Sequence, residues 1–367
     1  MAELFKNIYN TAFFDELTKG LHKTIPNFDE NTFLAQVFDV QWLDRKLKQR
    51  MRHLSTILKI HLPDDYKQAI EVILQLIEQL KLKQSGLSLR YMFLADYIEQ
   101  YGLDDYETSI DAIEKITQFT SCEFAVRPFI ILYPEKMMAQ MLLWSNHDHF
   151  TVRRFSSEGC RPRLPWAMDL PKLKKNPQMI IPILEKLKND GSDFVRKSVA
   201  NNLNDIAKDN PLTVINIVKK WQGLSLNTDK LIKHGCRTLL KKGYSDAMKM
   251  FGFGTIENIR IDEFSINTPS VKIGEALEFS FKLVNLGSEN IKIRTEYGLY
   301  YQKSNGSLSK RTFKISEKEY VKNSTNHIIR KQSFKIISTR KFYTGLHQLS
   351  IIINGNEFEK FSFQLTA

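Results

Sequence analysis

Phe251-Gly252-Phe253-Gly254 is where the chain changes its periodicity. Downstream, Leu277, Phe279, Phe281 and Leu283 alternate with Glu278, Ser280, Lys282 and Val284, the period of two that lines one face of a strand. Upstream, apolar residues return every three or four positions, as a helix requires. Ala69, Val72, Ile73, Leu76, Ile77 and Leu80 do so within 64–83, behind a capping Asp64-Asp65. Ile110, Ile113 and Ile116 do so within 105–119, and Val195, Val199, Leu203 and Ile206 within 193–208, where Asn210-Pro211 stops the run. A glycine-rich break between the two patterns predicts a helical domain over 1–250, a linker over 251–257 and a β domain over 258–367.

Each half carries finer structure. Val152-Arg153-Arg154 returns as Val195-Arg196-Lys197, and a helical stretch at Leu231–Leu240 follows after a similar gap. A period of about 40 residues built from helix pairs predicts a HEAT-like α-helical repeat solenoid with a long concave face. A non-repeating helical bundle fits the periodicity nearly as well. In the β half, strands are expected near 291–300, 311–315, 329–337, 346–353 and 357–365, with Asn305-Gly306 and Asn354-Gly355 as tight turns. Some seven short strands predict an immunoglobulin-like β-sandwich, without the Cys…Trp…Cys signature of antibody domains.

Composition narrows the partner. Lys and Arg number 53 against 41 Asp and Glu, a formal charge of +12 over 367 residues. That balance favours a polyanion, nucleic acid ahead of a membrane surface. Cys122, Cys160 and Cys236 are odd in number and widely spaced, which fits reduced thiols and neither a disulfide framework nor a zinc finger. The N-terminus lacks the apolar core of a signal peptide, and runs such as Phe129–Tyr133 and Leu349–Ile353 are too short to span a bilayer. A soluble, cytoplasmic, monomeric protein with no membrane association is expected.

Two segments are richer in charge than chain economy requires. One is Thr151-Val-Arg-Arg-Phe-Ser-Ser-Glu-Gly-Cys-Arg-Pro-Arg-Leu-Pro-Trp-Ala167, a short helix with Arg153, Arg154 and Glu158 running into a loop with Arg161, Arg163 and Trp166. The other, Ser121-Cys-Glu-Phe-Ala-Val-Arg-Pro-Phe129, sets Glu123 one helical turn before Arg127. Together they resemble the paired motifs of the AlkC-type, HEAT-like alkylpurine DNA glycosylases, E-F-A-[IV]-R-P-F and then R-R-x-x-S-E-G-x-R-P-R-L-P-W, with Cys160 at the variable position. The resemblance covers most of the helical half. One subgroup of that family also carries a C-terminal immunoglobulin-like domain.

What the resemblance implies is hydrolysis of the N-glycosidic bond of N3- or N7-alkylated purines in double-stranded DNA, as base excision repair requires. Such bases are cationic and already activated as leaving groups, so the enzyme must offer negative charge beside an oxocarbenium-like sugar and a positioned water. By the same resemblance Glu123, Glu158, Asp205 and Trp166 line the lesion site, the acids as electrostatic stabilisers and the indole as a face for the damaged nucleotide. The family is thought not to flip the lesion into a pocket. Asn201 and Asp205 are four apart on one helical face, and the repeat register makes Asn201 the counterpart of Glu158.

Arg127, Arg153, Arg154, Arg161, Arg163 and Asn201 are candidate DNA contacts, with bracing of Glu158 an equal reading for Arg161 or Arg163. Taken singly, any of these acids is as readily a solvated helix face or a surface ion pair, and Trp166 a loop plug. In the β half, Ser338-Thr-Arg-Lys-Phe-Tyr-Thr-Gly345 interleaves charge with aromatics, so Arg340 and Lys341 suit a minor groove or a solvated loop equally. His147 and His149 lack a third ligand at metal spacing, and no phosphate-cradling or nucleophile motif occurs. Lys233 and Lys241 suit phosphate contact, and neither is marked as a Schiff-base nucleophile. No cofactor or metal is expected, and hydrolysis without strand cleavage is. A DNA-structure-binding protein of the same fold without chemistry is the alternative, and a protein-binding scaffold a third.

Overall fold

The computed structural model describes residues 5–81, 87–337 and 340–367. These fall into two compact units, residues 5–235 and 236–367. The first is helical: Thr11–Thr24 (α1), Glu30–Val37 (α2), Leu47–His61 (α3), Tyr66–Lys81 (α4), Met92–Tyr101 (α5), Tyr106–Ile116 (α6) and Val126–Leu132 (α7). It continues through Pro134–Trp144 (α8), Phe150–Gly159 (α9), Pro171–Lys175 (α10), Ile181–Leu187 (α11), Asp193–Asp209 (α12), Pro211–Trp221 (α13) and Leu226–Gly235 (α14).

The helices start where side chains can satisfy their first amides. Asn10, Asp29 and Asp105 accept from the backbone of Phe13, Thr32 and Thr108. Asp65 does the same for Gln68 ahead of α4. Ala69, Ile73, Leu76, Ile77 and Leu80 are buried along α4, whereas Val72 at the edge of the stripe is half-buried. The last two residues of the expected 64–83 segment lie outside the described residues. His149, set aside above as a metal ligand, caps α9 instead through a bond from the Thr151 amide.

α9, α12 and α14 pack in succession, and their anchors Val152, Val195 and Leu231 are all buried. Gly159 ends α9 where no side chain fits. A Cβ there would come within 2.9 Å of Met141 and of Val126, so the glycine lets α9 close onto α7 and α8.

Among the described residues the second unit holds two short helices, Arg237–Lys241 (α15) and Ser245–Met250 (α16), and eight strands. These are Ile259–Ile266 (β1), Ser270–Lys272 (β2), Ala276–Asn285 (β3), Ile291–Gln302 (β4), Leu308–Tyr320 (β5), Ser324–Ser333 (β6), Gly345–Ile353 (β7) and Asn356–Thr366 (β8). One sheet has the order β1-β3-β6 and the other β2-β8-β7-β4-β5. All pairings are antiparallel except β2 with β8.

The alternation read in 277–284 is realised: Leu277, Phe279, Phe281 and Leu283 are fully buried in a core shared with Ile293, Leu299, Leu349, Ile351 and Phe363 of the other sheet. Asn354 and Gly355 both have positive φ, 46° and 83°, as a two-residue hairpin turn between paired Ile353 and Asn356 demands. β6 begins and ends earlier than the 329–337 expected, and β2, three residues long, was too short for a pattern to show.

Candidate active site and nucleic-acid interface

The two charged segments meet α12 in one cluster. Arg161 joins two acids: its Nη1 donates to Glu158 Oε1 at 2.6 Å and its Nε to Asp205 Oδ2 at 2.9 Å. Arg154 joins two more, donating from Nη1 to Glu123 Oε2 at 2.5 Å and lying 3.4 Å from Glu158 Oε1 through Nη2. Lys208 closes the outer end on Asp205 Oδ1 at 2.9 Å. The series Glu123–Arg154–Glu158–Arg161–Asp205–Lys208 alternates in sign throughout.

Local structure explains the order. Arg154 and Glu158 are four apart on α9, Glu158 and Arg161 bracket its C-terminus, and Asp205 and Lys208 are three apart on α12. Two hydroxyls complete the cluster, Ser198 donating to Glu158 Oε2 at 2.7 Å and Ser121 to Glu123 Oε2 at 2.7 Å. Neither serine carried a signal in the sequence beyond its place beside a motif.

Burial grades the acids. Asp205 is 1% exposed and Glu158 5%, each engaged through both carboxylate oxygens, whereas Glu123 is the outermost with 15% of its side chain exposed. Of the two Glu123 carboxylate oxygens, only Oε2 has hydrogen-bond partners among the described residues. The three expected site acids are thus graded in depth, one outer acid backed by two buried ones. Burial, the largest influence on the Arg161 guanidinium, pulls its pKa down, but Glu158 and Asp205 together outweigh it and the pKa is raised.

Trp166 stands at the surface, 64% exposed, with φ of +67°. A residue with a Cβ pays about 1–2 kcal/mol for that left-handed conformation. Its carbonyl accepts from Lys48 Nζ at 2.9 Å, and its ring meets the edge of Phe5 at 6.1 Å between centroids.

The remaining arginines divide. Arg127 is fully buried, donating from Nε to Met168 O at 2.6 Å and from Nη1 to Gly159 O and Arg161 O at 3.1 and 2.9 Å. Burial pulls its pKa down to about 10. It brackets the loop from inside and presents nothing to a phosphate. Arg153 grips Asp190 at 2.6 Å and the carbonyls of His147 and Asp148. Arg163 forms a two-pronged pair with Asp209 at 2.6 and 2.8 Å and stays partly exposed. Asn201 meets His234 of α14 at 3.3 Å; its neighbour Asn202 is the one that reaches back to α9, at Ser157 O.

Two clefts border this region. An enclosed one of about 30 Å³ lies among Lys48, Arg52, Asp96, Ser121 and Phe124, room for a water or two. An open one of about 430 Å³ runs along α3 beside Arg45, Lys48, Gln49, Arg52 and Thr56.

On the sandwich, Arg340 lies over the Tyr301 ring at 4.5 Å and Lys341 over Tyr343 at 5.3 Å. They border a cleft of about 170 Å³ with Lys303, Arg311 and His347. Ser338 and Thr339, the start of that basic run, lie outside the described residues.

A family model described as "DNA alkylation repair enzyme" matches residues 47–243. The chain belongs to the DNA alkylation repair enzyme family. A second model, "Uncharacterised protein YhaZ, C-terminal Ig-like domain", matches residues 260–367, the immunoglobulin-like sandwich of this repair protein. YhaZ of Bacillus subtilis (strain 168) is 42% identical over 365 residues, covering all of both chains. The alkylpurine DNA glycosylase AlkC of Pseudomonas fluorescens, solved bound to DNA containing an abasic site analog, is 32% identical with a TM-score of 0.92, again over all of both chains. The helical-repeat fold of the repair domain and the sandwich behind it are thus both those of AlkC. Among the described residues no helix is long and apolar enough to cross a membrane.

Proposed function

We propose that this protein is a monofunctional DNA-3-methyladenine glycosylase that acts as a monomer on duplex DNA carrying cationic alkylated purines. The gathering of Glu123, Glu158 and Asp205 into one cluster, in a chain that follows AlkC over its whole length, carries the reading. A methylated purine leaves as a neutral base, so the barrier lies in the positive charge that develops on the sugar. Glu123, with one oxygen still available, faces that charge and orients the water. Glu158 and Asp205 act through Arg154 and Arg161, fixing their direction so that Glu123 is held without side-chain freedom.

Trp166 offers the face of its indole to the cationic nucleotide. The enclosed cleft beside Ser121 is too small for a purine, which supports recognition without a deep base pocket. The expected division into a glycosylase domain over 1–250, a linker over 251–257 and a sandwich over 258–367 moves at its first boundary. The compact units divide at 235/236, and α15 and α16 go with the sandwich, which adds phosphate contacts through Arg340 and Lys341. Arg163 and Arg153 are available to phosphates only by exchanging Asp209 and Asp190, and Arg127 is left out.

The test is release of methylated base, identified by mass, from methylated duplex DNA. Wild type releases 3-methyladenine, and Glu123→Gln lowers the single-turnover rate about 10²- to 10³-fold. Salt-sensitive DNA binding with no released base would overturn the reading in favour of a binding protein without chemistry.

A further inference from the structure

Lys48 is tied to both charged segments from the far side of the chain. It lies on α3, its ammonium donates to the carbonyl of Trp166 at 2.9 Å, and the same ammonium sits 5.1 Å from the centre of the Phe124 ring. Phe124 belongs to the segment that carries Glu123. One side chain therefore joins the strained, exposed tryptophan to the neighbour of the outermost acid.

The two ends of the loop are fastened independently, by Arg127 to Gly159 O and Arg161 O on one side and to Met168 O on the other. Between those points Trp166 has two supports of its own, Lys48 and the edge of Phe5. Phe5 is itself largely exposed, so the hydrogen bond from Lys48 is the directional one. A non-glycine residue persists at positive φ only where its surroundings over-determine it.

We propose that Lys48 is a positioning residue, holding the carbonyl of Trp166 so that the indole stands ready at the surface. The proposal rests on the glycosylase reading for its effect on rate, but not for the effect on the loop. It also separates Lys48 from the phosphate ligand that its place beside the open cleft along α3 suggests. A phosphate ligand contributes to affinity for any duplex, whereas a group acting through Trp166 contributes only when Trp166 is present.

The experiment uses the full chain with Lys48→Met, which keeps the aliphatic stem, Lys48→Arg, which keeps a cationic donor, and Trp166→Ala. Trp42, Trp144 and Trp221 are at most 6% exposed, so acrylamide quenching of tryptophan fluorescence reports on Trp166. Lys48→Met is expected to change that quenching by about twofold or more and Lys48→Arg to restore it. Excision by Lys48→Met falls about 10- to 100-fold, while affinity for undamaged duplex and its salt slope stay within about twofold of wild type. In the Trp166→Ala background the same substitution has no further effect. Unchanged quenching, an equal loss of rate with and without Trp166, or a salt slope lowered by about one would each overturn the proposal. Should wild type release no base, the glycosylase reading falls, and the quenching comparison still decides the role of Lys48.

Discussion

Replacing Arg161 by Met should destabilise the helical unit more than any other single change in the cluster. Arg161 is 6% exposed and is the shared partner of two buried carboxylates, Glu158 at 2.6 Å and Asp205 at 2.9 Å. Removing one partner of a buried ion pair typically destabilises by about 3–5 kcal/mol, because a charge is left uncompensated. Two are left here, but each keeps some support: Glu158 retains Ser198 and Arg154, and Asp205 retains Lys208. Methionine also preserves much of the packing of the stem. The lower end, about 3 kcal/mol, is therefore expected, equivalent to about 6–12 °C in the melting temperature of a unit this size. The assay is urea and thermal unfolding of the full chain followed by tryptophan fluorescence, since all four tryptophans lie in the helical unit. Adding Glu158→Gln removes one of the two stranded charges, so the double variant should be more stable than Arg161→Met alone. A loss under about 1 kcal/mol, or losses that simply add in the double variant, would refute the account of Arg161 as a shared counter-ion.

Other expectations follow from neighbouring contacts. Burial, helped by Glu99 and opposed by Arg52, pushes the Asp96 carboxyl up to about 6 from its ordinary 3.8. The native state then holds the extra proton between about pH 4 and 6, so stability falls as pH rises through that window, by up to about 3 kcal/mol. Asp96→Asn should remove this slope from the pH dependence of unfolding, and an unaltered slope would count against it. Arg127→Met should lower stability by several degrees through loss of three carbonyl partners, while the salt slope of DNA binding stays as in wild type. Replacing Arg340 and Lys341 by Ala should lower that slope by about two without changing the rate of excision at saturating protein. Gly355→Ala should destabilise the second unit, since φ is +83° and the new Cβ would meet the Gly243 backbone at 2.0 Å; native-like melting of that variant would contradict the close approach of these two glycines.

Much of the fold was legible because the two periodicities are strong where it matters. Leu277 to Leu283 and Ala69 to Leu80 each give one clean face, and both faces are buried. The Asn-Gly turn at 354–355 specified its hairpin through the positive φ it tolerates. Within the site, the two motifs pointed to Glu123, Arg154, Glu158 and Arg161, and the choice left open between bracing Glu158 and holding phosphate resolves for Arg161 as bracing, of Asp205 as well.

What the sequence concealed is direction. Arg127 sits in a motif, but only the folded loop shows three carbonyls turned towards it. Asn201 and Asn202 differ by one helical step of about 100°, finer than a repeat register can set, and it is Asn202 that touches α9. Lys48 lies 118 residues from Trp166, with no local pattern to mark the pair. Ser198 and Lys208 are ordinary helix residues until their facing acids are in place.

The alternating row of acids and bases has an arithmetic of its own. Glu123, Glu158 and Asp205 are matched in number by Arg154, Arg161 and Lys208, and the members come from three separate stretches of chain. Neutralising one member in the interior of the row leaves one odd charge enclosed, and neutralising a member of the opposite sign restores parity. Substitutions in this row are therefore tolerated in opposite-charge couples more readily than one at a time.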